Sequence, residues 1–204
     1  MESNQVALVR LRGGIDNGRK GAIVVIDESR DVVFSFLPKE VKDGQSIHDA
    51  DSIAQALSTV RAMADRGHVF FALEKSYVMP APGMRTSPKA SFNYGRMYEC
   101  YRQTLVLMRI PFVEVHPARW QHALGFPKKQ EGEHQKARAT AMAKKMVGKI
   151  DLMPGRRRIE HDGLADAACL ALYAELVKHF DEDIVYEIPK YPSRKMEKKV
   201  RAKR

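Results

Sequence analysis

Four carboxylates stand at positions where carboxylates are costly. Asp16 follows Gly13-Gly14-Ile15 at the end of an apolar run, and Glu74 follows Phe70-Phe71-Ala72-Leu73. Asp162 and Asp166 are spaced i, i+4 in an apolar stretch with helical patterning, so they share one face. An acid inside or at the end of an apolar element needs a partner. Two acids one helical turn apart repel each other unless a cation lies between them. Gathered together, the four would form an all-oxygen site for a hard cation such as Mg2+, completed by water and by phosphate oxygens of a substrate. Two such ions ~4 Å apart activate a water and stabilise a leaving 3′ oxygen. Each acid also has a plainer reading. Asp16 could be a turn residue, and Glu74 could pair with Arg66 or Lys75. Asp162 could cap a helix, with Asp166 in its favourable first turn.

The elements that must position these acids can be read from the pattern. Val6 to Asp16, Ala22 to Asp27 and Val32 to Leu37 read as three strands with short links, which implies an antiparallel meander. Ala50 to Arg66 repeats Ile53, Leu57, Val60 and Ala64 at helical steps. Val69 to Glu74 is a fourth strand, expected to lie parallel to an earlier one because a helix feeds it. Lys75 to Lys89 contains Pro80, Pro82, Gly83 and Pro88 and reads as a long loop. Ser91 to Arg109 is helical, Pro111 to Val115 a fifth strand, and Pro117 opens a short helix carrying Trp120 and Leu124. Phe126 to Glu133 reads as loop and His134 to Val147 as a basic helix. Ile150 to Glu160 is irregular, and His161 to Phe180 is the last helix. The succession βββαβαβαα is that of the RNase H-like fold, an α/β architecture with a mixed five-stranded sheet flanked by helices. Residues 1–188 are expected to form this domain. Residues 189–204 hold eight Lys or Arg against the single acid Glu197 and read as a disordered basic arm.

Composition narrows the partners. The 204 residues suffice for one well-packed domain. The formal net charge is +10 and the pI near 9.6, an excess suited to phosphates, whose neutralisation releases counterions. Cys100 and Cys169 lack the spacing of a zinc site and read as free thiols in a reducing compartment. The first residues lack a signal-peptide core, and no apolar run approaches a membrane span. A cytoplasmic protein is expected, in the nucleoid or in a host cytoplasm if its origin is bacterial or phage.

Several segments resemble RuvC-type Holliday junction resolvases. Gly14-Ile15-Asp16-Asn17-Gly18 followed by Gly21-Ala22-Ile23 and Ile26-Asp27 is similar to their first-strand motif, and Ala72-Leu73-Glu74-Lys75 to their second acidic strand. His161-Asp162-Gly163-Leu164-Ala165-Asp166-Ala167-Ala168, followed by Leu170-Ala171, is similar to their last helix. Phe92-Asn93-Tyr94-Gly95-Arg96 and Val115-His116-Pro117-Ala118-Arg119-Trp120 resemble the phage-like branch. The resemblance covers most of residues 7 to 175. It implies a homodimer that places two sites on opposed strands of a four-way junction. It further implies Mg2+, with Mn2+ able to substitute, and crossover junction endodeoxyribonuclease activity leaving 5′-phosphate and 3′-hydroxyl ends in recombination, repair or the processing of replication intermediates. By resemblance, the metal and catalytic acids are Asp16, Glu74, Asp162 and Asp166, and Tyr77 is the aromatic that stacks near the junction centre. Three departures stand out. Asn17 replaces a common proline, Lys75 replaces a glutamine of bacterial members, and the last two acids are four apart rather than three.

For DNA contacts the candidates are Arg19 and Lys20 in the turn beside Asp16, then Lys75, Arg85 and Lys89 around the long loop, then Lys128 and Lys129. Lys136, Arg138, Lys144 and Lys145 on the basic helix and Arg156 to Arg158 after it add to the set. Singly each reads as solvated surface; together they fit backbone binding in which junction shape sets specificity. His161 reads as a surface histidine, or as a group that positions a water. Met97, Tyr98, Tyr101, Leu105 and Met108 form a stripe that serves core packing and, in part, dimerisation. Competing readings are a sugar- or acetate-kinase-like nucleotide-binding fold, a junction-binding protein that does not cut, and a nuclease of the same fold acting on flaps, R-loops or RNA–DNA hybrids. The first lacks a second Gly-rich phosphate loop and the necessary length.

Overall fold

The structure is a computed structural model and describes residues 10–42, 46–64, 68–75, 87–127 and 135–177. Three antiparallel strands open it: β1 (Leu11–Asp16), β2 (Ala22–Ile26) and β3 (Val32–Phe36). A short antiparallel pair follows, β4 (Glu40–Lys42) with β5 (Ser46–His48), and then α1 (Ala50–Met63). The strand β6 (Val69–Glu74) runs parallel to β1, and α2 (Pro88–Leu107) leads to β7 (Phe112–Val115), parallel to β6. Three helices complete the chain: α3 (Pro117–Ala123), α4 (Gln135–Met146) and α5 (Asp162–Leu176). The main sheet has the order β3-β2-β1-β6-β7, with the acid-bearing β1 and β6 adjacent near its middle.

Side-chain alternation divides the core into two layers. Leu11, Ile15, Ile23, Val25, Phe71 and Leu73 face one side, where Ile53, Leu57 and Val60 of α1 and Tyr101 and Leu105 of α2 cover them. Ala22, Val24, Ile26, Phe70 and Ala72 face the other side, against α5, α4 and Trp120 of α3. Gly163 to Ala174 are buried except for the half-buried Asp166, as expected of a helix held between a sheet and a further helix. The close seat of α5 on β1 depends on Gly14. A Cβ there would lie 1.9 Å from the Ala167 carbonyl oxygen and 2.4 Å from the Ala171 nitrogen.

The anticipated strands and helices are present, with three differences. The β4–β5 pair was not anticipated, because strands of three residues are too short to show alternation. Helix α2 begins at Pro88, capped by Ser87 whose hydroxyl accepts from Ala90 N at 3.1 Å. Lys89 therefore lies in a helical first turn and not in the loop read for Lys75 to Lys89. The helices α1 and α2 also stop two or three residues before their anticipated ends, a fraying that pattern does not resolve. Residues 6–9 of the first strand, most of the long loop, residues 178–180 of the last helix and the basic arm lie outside the described residues; the described helix ends at Leu176, with Val177 as its C-cap. Of the stripe on α2, Met97, Tyr101 and Leu105 are buried, and Tyr98 and Met108 pack partly buried against the core layer that holds Tyr101 and Leu105.

Candidate active site

Strand parity fixes where the acids point. Asp16 shares the face of Gly14 and Glu74 that of Ala72, so both emerge on the α5 side, at the ends of adjacent parallel strands. Register pairs Ile15 with Leu73, which sets the two acids side by side. The N-terminus of α5 meets them there. A Cβ on Gly163 would come within 1.9 Å of the Lys20 carbonyl oxygen and 3.1 Å of Asp16 Oδ2. Only glycine lets this helix end approach the Asp16 turn so closely. Asp162 immediately precedes Gly163 and Asp166 lies one turn beyond Asp162; both are half-buried. The fold thus brings Asp16 and Glu74 together and seats the segment carrying Asp162 and Asp166 at the same end of the sheet. Among the described residues, no three Asp, Glu, His or Cys side chains stand close enough together to hold a metal ion.

Each strand acid is held by a specific donor. The Gly18 N–H donates to Asp16 Oδ1 at 2.8 Å. The indole Nε1–H of Trp120 donates to Glu74 Oε2 at 3.0 Å. Burial, and after it the charge of Asp16, pushes the Glu74 carboxyl up to about 7, against a smaller opposing effect of the Trp120 bond. Two adjacent carboxylates, with Glu74 held against its own ionisation by burial and by the charge of Asp16, suit a hard divalent cation. Glu74 is not paired with Lys75. That exposed lysine lies 3.9 Å from Glu114 Oε2 instead. Arg66 is outside the described residues.

Asn17, the departure from a common proline, proves structural. Its side chain is 1% exposed, and Nδ2 donates to the Glu74 carbonyl at 2.5 Å. The bond ties the end of β1 to the end of β6 just where the acids sit. Asn17→Ala is expected to lower stability by about 1–3 kcal/mol, the cost of losing a buried hydrogen-bonded amide. Urea unfolding checks this; an unchanged midpoint would show that the tie contributes nothing.

The turn after Asp16 is braced from below. Tyr101, fully buried, places its hydroxyl 2.9 Å from His48 Nδ1, and His48 Nε2 lies 3.2 Å from the Arg19 carbonyl oxygen. The tautomer in which Nδ1 accepts from the Tyr101 hydroxyl and Nε2 donates to the Arg19 carbonyl satisfies all three groups. The side chains of Arg19 and Lys20 remain exposed at the turn surface, beside Asp16. His161 differs from the surface reading. It is 6% exposed and is the N-cap of α5, its Nδ1 accepting from Leu164 N at 3.2 Å. Burial, and then the charge of Arg157, holds it below the ordinary histidine range. Asp162 is therefore not the cap but an acid in the first turn.

The other candidates divide. Lys75 and Lys89 are exposed, as are Lys145 and Arg156 to Arg158. Lys144 pairs with Glu160, and Arg138 donates to the Pro127 carbonyl with its guanidinium 5.4 Å over the Phe126 ring. Tyr77, Arg85, Lys128 and Lys129 lie outside the described residues, as does the side chain of Lys136. Cys169 is buried and Cys100 half-buried, and both are free thiols. The contributions of Trp120, Asn17 and the Tyr101–His48 brace were not anticipated, since each joins residues far apart in sequence.

No family model matches the chain, and no curated protein matches it. Solved structures do. The chain superposes on Thermus thermophilus RuvC in complex with a Holliday junction substrate with a TM-score of 0.51 and 16% identity, over 82% of this chain and 96% of that one. A further Thermus thermophilus RuvC structure gives a TM-score of 0.51 at 16% identity, over 81% and 96%. The crystal structure of the yeast mitochondrial Holliday junction resolvase gives 0.47 at 14%, over 78% and 75%. The chain has the RNase H-like fold that RuvC adopts: a mixed five-stranded sheet with flanking helices. No described helix is long and apolar enough to cross a membrane.

Proposed function

We propose that this protein is a metal-dependent endonuclease that recognises four-way DNA junctions and resolves them by paired symmetric nicks. The observation that carries the reading is the placement of Asp16 and Glu74 side by side on β1 and β6, at the end of the sheet where α5 brings Asp162 and Asp166. The overlap with RuvC along nearly its whole length supports the junction as substrate, and the net charge of +10 supports a nucleic acid partner. Asp16, Glu74, Asp162 and Asp166 would hold two Mg2+, or Mn2+ in their place. When bound, the ions supply an activated water and charge stabilisation at the leaving 3′ oxygen. The chain's own residues do the rest. Gly18 and Trp120 each fix one strand carboxylate by hydrogen bond, and Asn17 keeps the two strand ends at one separation. Exposed Arg19 and Lys20 engage a phosphate near the scissile bond. Lys75, Lys89, Arg85, Lys128 and Lys129 extend the contact along the backbone, and Tyr77 stacks on an unpaired base at the branch. Residues 1–188 form the nuclease domain, and the arm at 189–204 adds nonspecific affinity. The products carry 5′-phosphate and 3′-hydroxyl ends. A homodimer supplies two sites, and the spacing of Asp162 and Asp166 suits the phage-like branch. Acting on DNA intermediates in recombination, repair or replication, the protein would work in the cytoplasm or nucleoid.

The test is a substrate comparison in Mg2+. A labelled immobile four-way junction is set beside a linear duplex, a flap, an R-loop and an RNA–DNA hybrid, with Asp16→Asn as control. Junction cleavage is expected to dominate and to fall at least about a thousandfold in the variant. Preference for flaps, R-loops or hybrids would retain the chemistry and overturn the substrate.

A further inference from the structure

Trp120 occupies a position that the chemistry assigned to the four acids does not explain. It is the chain's single tryptophan and is 1% exposed. His116 caps α3, its Nδ1 accepting from Ala118 N at 3.3 Å, and Pro117 starts the helix. This local sequence turns the indole inward, into the core layer on the α5 side. Phe126 then meets the indole edge-on, with ring centroids 5.4 Å apart and planes at 88°, and the Arg138 guanidinium lies over the Phe126 ring. A buried indole N–H must find an acceptor, and here the acceptor is Glu74 Oε2 at 3.0 Å. One carboxylate oxygen is thereby committed to Trp120, which leaves Oε1 in a defined direction.

We infer that Trp120 is the positioning residue for Glu74, fixing its carboxylate in the rotamer that receives a divalent cation, with Phe126 and Arg138 as the brace that keeps the indole in place. The inference rests on the proposed metal site and extends it to residues that touch neither metal nor DNA. A freely rotating Glu74 would have to lose its side-chain freedom on binding the ion. Trp120 removes that cost in advance. Loss of an outer hydrogen-bond partner of this kind lowers metal affinity by about tenfold or more.

The test is calorimetric titration of the full chain with Mn2+ in the absence of DNA, comparing wild type with Trp120→Phe. The inference predicts dissociation about tenfold weaker in the variant, and a matching rise in the Mg2+ concentration giving half-maximal junction cleavage. The rate at saturating Mg2+ should stay within about threefold of wild type, since only ion capture is weakened. A role in packing alone would reduce the active fraction equally at every Mg2+ concentration. Because Trp120 is the only tryptophan, growth on 3-benzothienylalanine replaces this one N–H by sulfur with the ring shape kept. That variant gives the answer should Trp120→Phe fail to fold. Equal Mn2+ affinity in wild type and the benzothienyl protein would overturn the inference and leave the proposed function standing. A wild type that binds Mn2+ but cuts no junction would overturn the function and leave Trp120 testable. A wild type that binds no Mn2+ would overturn both.

Discussion

Replacing Glu74 by glutamine is expected to abolish cleavage and, at the same time, to stabilise the metal-free protein at pH 8. The catalytic loss should reach at least about a thousandfold, because an amide cannot supply the charge a divalent cation needs. The stability gain follows from the carboxyl's position. Its ordinary value is 4.5 and the fold raises it to about 7. Below pH 4.5 the carboxyl is protonated folded or unfolded and costs nothing. Between pH 4.5 and 7 the unfolded chain ionises first, and stability falls as pH rises. Above 7 the penalty is complete, at about 3 kcal/mol for a shift of this size. Glutamine avoids the penalty and still offers Trp120 an acceptor oxygen. Denaturant unfolding with a chelator should therefore place Glu74→Gln above wild type at pH 8 and level with it at pH 4. Added Mg2+ should raise wild type and leave the variant unchanged. A variant less stable than wild type at pH 8 would mean that Glu74 is a structural acid and not one held against its own charge.

Gly14→Ala should produce the largest loss of fold. The added methyl would meet the Ala167 carbonyl oxygen at 1.9 Å and the Ala171 nitrogen at 2.4 Å. Both are backbone atoms of α5 and cannot turn aside as a side chain would. To admit the methyl, α5 must lift from β1 along its length, opening the layer that contains Val24, Ala72 and Leu170. A loss of at least about 3 kcal/mol is expected, the upper range for overpacking in a close-packed core. Since α5 also carries Asp162 and Asp166, any folded remainder should cut poorly even at high Mg2+. Thermal unfolding with a parallel cleavage assay checks both. A Gly14→Ala protein with wild-type stability would show that α5 does not lie on β1 at this distance.

Much of this arrangement is legible in the residues themselves. An apolar strand that ends in an acid is a local signal, and it locates Asp16 and Glu74 directly. That β6 runs parallel to an earlier strand follows from the connecting helix, whereas the register that sets the two acids side by side shows only in the structure. The i, i+4 spacing identifies Asp162 and Asp166 as one face. What stays hidden is what depends on contacts distant in sequence. In the sequence Gly13 and Gly14 stand only as small residues just before the end of a strand. The structure shows instead that each clears space, one for Phe71 and the other for α5. Trp120 looks like an apolar residue of a short helix, and its bond to Glu74 spans 46 positions. Asn17 looks like a tolerated replacement in a turn, whereas it fastens two strands. His161 resembles an exposed polar residue at a helix start until Leu152, whose carbonyl accepts from its N–H at 2.8 Å, is seen to fold back beside it. Hydrogen bonds of this kind leave no period in the sequence, which is why pattern finds the acids but not their supports.

The most direct test of the central claim uses a supercoiled plasmid that extrudes a cruciform, incubated with the full chain and Mg2+. Paired incision of opposed strands within one binding event converts the circle to a linear molecule with ligatable ends, whereas independent nicking gives open circles first. Linear product, absent with Asp16→Asn and absent without divalent metal, is the expected result. Tight binding of the cruciform with no incision in either Mg2+ or Mn2+ would contradict the account and leave a junction-binding protein in its place.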